Sequence, residues 1–239
     1  MVQKTILPDK NTLIETATDF IINKIKSSIE TTDRCTIALA GGSTPKPIYE
    51  AIAKTDLPWE KIHVFWGDER YVLPTHPDSN EKMAREAWLN KVDIPVSNIH
   101  PMPTNGNNAE ADAQKHNQEI LDFFGISSGF PSFDIILLGM GDDGHTASLF
   151  PHTKALQEFD RIITVGNRGE SIRLTFTIPL INQAKCVIFL VAGNSKQEAL
   201  KQVFSETGNP KQYPSKFINP QGELIWFLDE SATQGLFHS

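Results

Sequence analysis

The densest chemistry in this chain lies in Gly139-Met-Gly-Asp-Asp-Gly-His-Thr-Ala-Ser148, where three glycines frame two carboxylates and an imidazole. The segment follows the apolar run Phe133 to Gly139, so its glycines would present His145 and an acidic neighbour at the end of a strand. An imidazole so placed can act as a general base near neutral pH. The same residues also spell Gly-x-Gly-x-x-Gly, with Glu158 and Asp160 about 20 positions on, which is the dinucleotide-binding fingerprint. Two features count against that match. Asp142 and Asp143 would repel a pyrophosphate, and no long amphipathic helix follows Gly144. A metal site built from Asp142, Asp143 and His145 would crowd its ligands into one turn, with no second cluster to complete the shell. No metal is therefore expected.

Other clusters carry anion chemistry. Gly41-Gly42-Ser43-Thr44-Pro45 combines glycines, which let backbone N–H groups approach a ligand, with two hydroxyl donors and a helix start. The Gly-x4-Gly-Lys-Ser/Thr spacing of a P-loop is absent, and the bland alternative is a tight turn capped by Thr44. Trp66-Gly-Asp-Glu-Arg-Tyr71 places Asp68, Glu69 and Arg70 just past another strand. Arg70 can grip a phosphate or carboxylate with paired hydrogen bonds. Asp68 can serve as a base or order a cation. The bland alternative is a surface Glu69–Arg70 pair of little energetic worth. Arg173 begins a strand. Lys196 follows Gly193 at the first position of a helix, where a lysine opposes the helix dipole unless an anion offsets it. His63, His76, His100, His116 and His238 read as ordinary core or surface histidines; His152 is a weak exception, since it lies near the Gly139 segment.

These clusters need elements to position them. Short apolar runs predict strands over Cys35–Ala40, Lys61–Trp66, Phe133–Gly139, Arg161–Val165, Ile172–Ile178, Cys186–Ala192 and Leu224–Leu228. Helices are expected behind a capping box at Thr12-Leu-Ile-Glu15, from Pro45 to Lys54, after Asp78-Ser-Asn-Glu81, over Ala109–Phe124, and behind a second box at Ser195-Lys-Gln-Glu198. Asn98 to Asn108 reads as a loop. Strands alternating with helices indicate an α/β, mainly parallel sheet, and their continuous apolarity means helices on both faces. Ligands of such sheets sit beyond the carboxyl ends of the strands, where all four Gly-marked clusters fall.

The 239 residues fit a single domain, 1–239, able to bury a core without staples. Net charge is −7, from 22 Lys plus Arg against 29 Asp plus Glu, which argues against nucleic acid or an anionic membrane as a general partner. An anionic ligand would need a local pocket of opposite charge. Cys35 and Cys186 each open an apolar run and read as reduced strand thiols. The amino terminus lacks the apolar core of a signal peptide, and no apolar stretch approaches 18 residues. A cytoplasmic location is expected, with the chain a monomer or weak homo-oligomer.

Taken together, Gly41 to Pro45, Trp66-Gly-Asp-Glu-Arg70 with Asp78-Ser-Asn80, Gly139-x-Gly-x-Asp-Gly-His-Thr-Ala-Ser148-Leu-Phe-Pro151, Arg173-x-Thr175 and Gly193-x-x-Lys196 resemble the 6-phosphogluconolactonase family. They stand in that family's order over nearly the whole chain. Tyr71-Val-Leu-Pro74 is a small departure, since a Val-Pro is expected soon after the arginine. The related glucosamine-6-phosphate deaminase/isomerases share the Gly-Gly-Ser/Thr loop and the Asp-Gly-His turn. Their His is followed by Ile-Ala-Phe-Asn-Glu, whereas Thr146-Ala-Ser-Leu-Phe150 here lacks the ring-opening glutamate. The resemblance implies a Rossmann-like α/β sandwich (NagB/RpiA/CoA-transferase-like) with no required cofactor. It implies hydrolysis of a small sugar phosphate, 6-phosphoglucono-1,5-lactone, to 6-phosphogluconate in the oxidative pentose phosphate pathway. It places phosphate at Gly41, Gly42, Ser43, Thr44, Arg173 and Lys196 with Arg70 nearby, and water activation at His145. Asp143 or Asp68 would orient the histidine or bind sugar hydroxyls. An amino-sugar-phosphate isomerase or deaminase, or a non-catalytic sugar-phosphate sensor, is the alternative.

Overall fold

The apolar runs assemble into two sheets in the computed structural model, which describes residues 2–236; His238 lies outside them. In chain order the strands are β1 (Val2–Leu7), β2 (Cys35–Leu39), β3 (Ile62–Trp66), β4 (Asp68–Arg70), β5 (Ile135–Leu138), β6 (Ile163–Arg168), β7 (Ser171–Phe176), β8 (Cys186–Val191) and β9 (Glu223–Asp229). The helices are α1 (Lys10–Thr32), α2 (Pro45–Ile52), α3 (Asn80–Ala87), α4 (Ala109–Phe124), α5 (Ile178–Asn182), α6 (Gln197–Phe204) and α7 (Glu230–Thr233). The central sheet has the order β1-β9-β8-β5-β2-β3, all pairs parallel, and is flanked by helices. Every residue of β2, β5 and β8 is buried, as coverage of both faces requires.

The chain runs outward from β2 to β3 on one side, and from β5 through β8 to β9 on the other. The order therefore reverses between β2 and β5, which makes their carboxyl ends the crevice of the sheet. The Gly41 loop follows β2 and the Gly139 loop follows β5. A smaller antiparallel sheet, β4-β7-β6, stands beyond β3 in sequence and brings Arg70 directly opposite Arg173.

Three local outcomes differ from the sequence reading. Helix α1 begins earlier than the Thr12 box, because Asp9 accepts from the Thr12 backbone N–H at 2.8 Å and so caps the helix itself. Helix α6 has no side-chain cap: Ser195 Oγ donates instead to Asp142 Oδ1 at 3.0 Å, and Lys196 precedes the helix at the end of a 3-10 turn. Strand β1 joins the sheet at its edge, parallel to β9. Cys35 and Cys186 are free and buried, and burial pushes the Cys186 thiol up to about 12. Among the described residues no helix is long and apolar enough to cross a membrane.

Candidate active site

Residues from both sheets wall one cavity of about 350 Å³ at the reversal point. From β2 come Gly41, Gly42, Ser43 and Thr44; from β3 and β4, Gly67, Asp68 and Arg70; from β5, Gly139 to Gly141 and His145; from β7 and the end of β8, Arg173 and Lys196. The expected phosphate ligands, Asp68 and His145 thus border this cavity; Asp143 stands behind His145, and Glu69 and Asp142 do not line it. The size suits a small polar metabolite, since ligand pockets run from roughly 300 Å³ upward.

The Gly41 loop is pinned from below. Tyr49 of α2 is fully buried, donates its hydroxyl to the Ala40 carbonyl at 2.8 Å, and accepts from the Ala40 N–H at 3.0 Å. Pro45 at the first turn starts α2 without wasting an N–H. Gly42 has φ +104°, a conformation that side chains resist, and this turns the loop into the cavity.

The Asp68-Glu69-Arg70 cluster separates into three tasks. Glu69 is no surface partner of Arg70. It is 2% exposed and accepts from the backbone N–H groups of Arg70, Asn80 and Glu81 at 2.7–2.8 Å and from Ser79 Oγ at 3.1 Å. It thereby holds the start of α3, and burial raises its pKa. Asp68 is also buried. Its Oδ2 accepts from Ser148 Oγ at 2.5 Å, which ties β4 to the His145 loop, and Asn80 Nδ2 lies 3.4 Å from its Oδ1. Arg70 donates to the Asp78 carbonyl at 2.5 Å. The Nε of Arg70 and that of Arg173 are buried with no hydrogen-bond partner among the described residues. Burial, with Arg70 and Arg168 nearby, lowers the Arg173 pKa despite Asp68. Like charges directly opposite on neighbouring strands are destabilising, so two facing arginines whose buried Nε groups find no partner beside a cavity mark an anion site.

His145 is set by its own turn. Its Nδ1 lies 2.5 Å from Asp143 Oδ1, and the same oxygen accepts its backbone N–H at 3.1 Å. This bond pulls the Asp143 carboxyl down to about 2, so the carboxylate is charged at neutral pH and Nδ1 carries the proton. In the neutral imidazole that bond leaves Nε2 as the lone-pair nitrogen. The Phe150 ring lies against the imidazole at 4.4 Å between centroids and also meets the Arg173 guanidinium at 5.6 Å. At Gly141 a Cβ would stand 2.0 Å from Nδ1, so only glycine admits the ring. The structure therefore pairs Asp143 with the histidine and Asp68 with Ser148. Lys10, Asn80, Ser148 and Phe150 border or brace the site without having been singled out. Ser148 and Phe150 lie within the Gly139 motif, whereas nothing in the sequence points to Lys10.

These features define a Rossmann-like α/β protein with a cationic pocket at the strand ends and an imidazole–carboxylate dyad on its wall. Its sequence matches the family described as glucosamine-6-phosphate isomerases/6-phosphogluconolactonase over residues 8–226, and the chain belongs to that family. A 6-phosphogluconolactonase of Synechocystis is 59% identical over 98% of both chains, and one of Nostoc is 59% identical over 95% of both. Among solved structures, 6-phosphogluconolactonase from Trypanosoma brucei matches with a TM-score of 0.86 and 29% identity over 99% of both chains. A monomeric glucosamine-6-phosphate deaminase shares the fold, at TM-score 0.82 and 20% identity, over 96% of this chain and 98% of that one.

Proposed function

We propose that the chain is a carboxylic-ester hydrolase that converts 6-phospho-D-glucono-1,5-lactone to 6-phospho-D-gluconate, the lactone-opening step of the oxidative pentose phosphate pathway. The observation that carries the reading is a His145–Asp143 dyad across one cavity from two facing arginines whose buried Nε groups have no partner among the described residues. The substrate has the matching polarity, an activated ester carbonyl at one end and a phosphate at the other. Names borne by relatives at 59% identity support the same substrate.

The phosphate sits against Arg70, Arg173, Lys196, the hydroxyls of Ser43 and Thr44, and the N–H groups of the Gly41 loop. That anchor delivers the lactone carbonyl to His145. Nε2 takes a proton from water as its oxygen attacks the carbonyl carbon. The tetrahedral oxyanion is met by N–H donors of the glycine-rich loops or by an arginine. It collapses with cleavage of the C–O ring bond, and the imidazolium returns its proton to the departing alkoxide. Asp143 stabilises the imidazolium and fixes its tautomer. Asp68 holds the His145 loop through Ser148. A δ-lactone is already labile, so one base and good positioning are enough.

The test is lactone hydrolysis corrected for the spontaneous reaction. His145→Ala is expected to lower kcat by roughly 10²-fold or more; near-normal turnover would remove the assigned role. Ammonia release from glucosamine 6-phosphate would decide for the deaminase reading instead.

A further inference from the structure

Lys196 stands in the cavity wall, yet its ammonium is already occupied. It is paired with the carboxylate of Asp142, whose Oδ1 also accepts from Ser195 Oγ at 3.0 Å. The lysine side chain is 20% exposed and that of Asp142 is 66% exposed, so the carboxylate reaches the lysine from the solvent side of the rim. The Lys196 hydrogen bond keeps the Asp142 carboxyl below its ordinary value, so it is an anion at neutral pH. The proposed chemistry gives Asp142 no task, because Asp143 orients the histidine and Asp68 braces the loop.

We infer that Asp142 is a built-in competitor for Lys196: its carboxylate holds the ammonium in the empty site, yields it to the phosphate of the ligand, and takes it back as product departs. The inference rests on Lys196 being a phosphate ligand. Two anions bonded to one ammonium would lie about 4–5 Å apart. At that range a carboxylate and a phosphate dianion repel each other even in water. The carboxylate is the partner that can leave, since most of it is already in solvent and an exposed ion pair is weak. Ser195 keeps it close enough to return. The exchange lowers affinity for substrate and product alike, and it favours release of a product that carries one more negative charge than the lactone.

Calorimetric titration with 6-phosphogluconate and, separately, with inorganic phosphate tests this on the parent chain and on D142N, K196A, S195A and D142N/K196A. D142N is expected to bind both ligands about three- to fivefold more tightly, the scale of one exposed ion pair. S195A gives a smaller gain of the same sign. In the K196A background the D142N gain vanishes. Unchanged or weaker binding by D142N overturns the inference. An equal gain with and without Lys196 overturns it too, since Asp142 would then act only as a remote charge. If K196A alone binds both ligands like the parent, the phosphate role of Lys196 fails, and the inference falls with it.

Discussion

Replacing Gly141 by alanine perturbs the dyad without removing any functional group. The added Cβ would stand 2.0 Å from His145 Nδ1, 2.1 Å from Cε1 and 2.7 Å from Asp143 Oδ1. Ordinary contact needs about 3.4 Å, so the ring must retreat by about 1.4 Å. It cannot do so and keep its 2.5 Å bond to Asp143, whose oxygen is itself displaced. Gly141 is not among the positive-φ glycines, so the clash is steric and alanine suits the backbone. A displacement of about 1 Å at a reacting group costs on the order of 10²-fold in rate. We therefore expect kcat to fall by about 10²-fold, or ~2.7 kcal/mol of barrier. The phosphate ligands are untouched, so KM should not rise. Steady-state lactone hydrolysis, with Tm measured alongside, reads both quantities. A folded G141A chain with kcat within threefold of the parent would refute the argument that this contact sets the base.

Other outcomes follow from the same geometry. Asp143→Asn removes the negative charge that stabilises the imidazolium and can turn an amide N–H towards Nδ1, which no longer fixes the Nδ1–H tautomer. The kcat should fall by about 10²-fold or more, towards the roughly 10⁴-fold seen when a catalytic histidine loses its orienting carboxylate, and stopped-flow hydrolysis checks it. Arg173→Ala should raise KM at least tenfold, because a charge-assisted bond to phosphate is worth about 1.5–3 kcal/mol; an unchanged KM would move the phosphate elsewhere. His63 and His100 lie 3.2 Å apart, with His100 stacked on Phe65, and burial lowers both, His100 to about 4. The unfolded chain takes these protons first, so stability falls as pH drops from about 6.5 towards about 4 and then levels. Discounted for partial exposure, the loss from His100 is ~1–2 kcal/mol. Urea midpoints across that range should show it, and His100→Phe should flatten the slope.

The site was legible in the sequence where its chemistry is contiguous. The Gly41, Gly139 and Gly193 clusters each follow an apolar run, and a parallel sheet brings such loops to one edge whatever the strand order. What stayed hidden is set by distant partners. Asp68-Glu69-Arg70 carries no strand pattern; it becomes β4 because Arg173 to Thr175 pair with it. Strand β1 is partly exposed at the sheet edge and so shows no buried run. Ser195 spaces correctly from Glu198 for a capping box, but a carboxylate 53 positions away in the chain takes its hydroxyl. Residue type misleads most at Glu69. An acid beside an arginine after a strand looks like a site or a surface pair, yet it is a buried anchor whose oxygens are filled by three N–H groups and a hydroxyl. Its effect on the site is indirect. Glu69 fixes Ser79 and Asn80, Asn80 Nδ2 donates to the Asp68 carbonyl at 2.9 Å, and Asp68 holds Ser148 in the loop that carries His145. The acids that matter for positioning are thus recognised by the donors that surround them, and those donors lie on other elements.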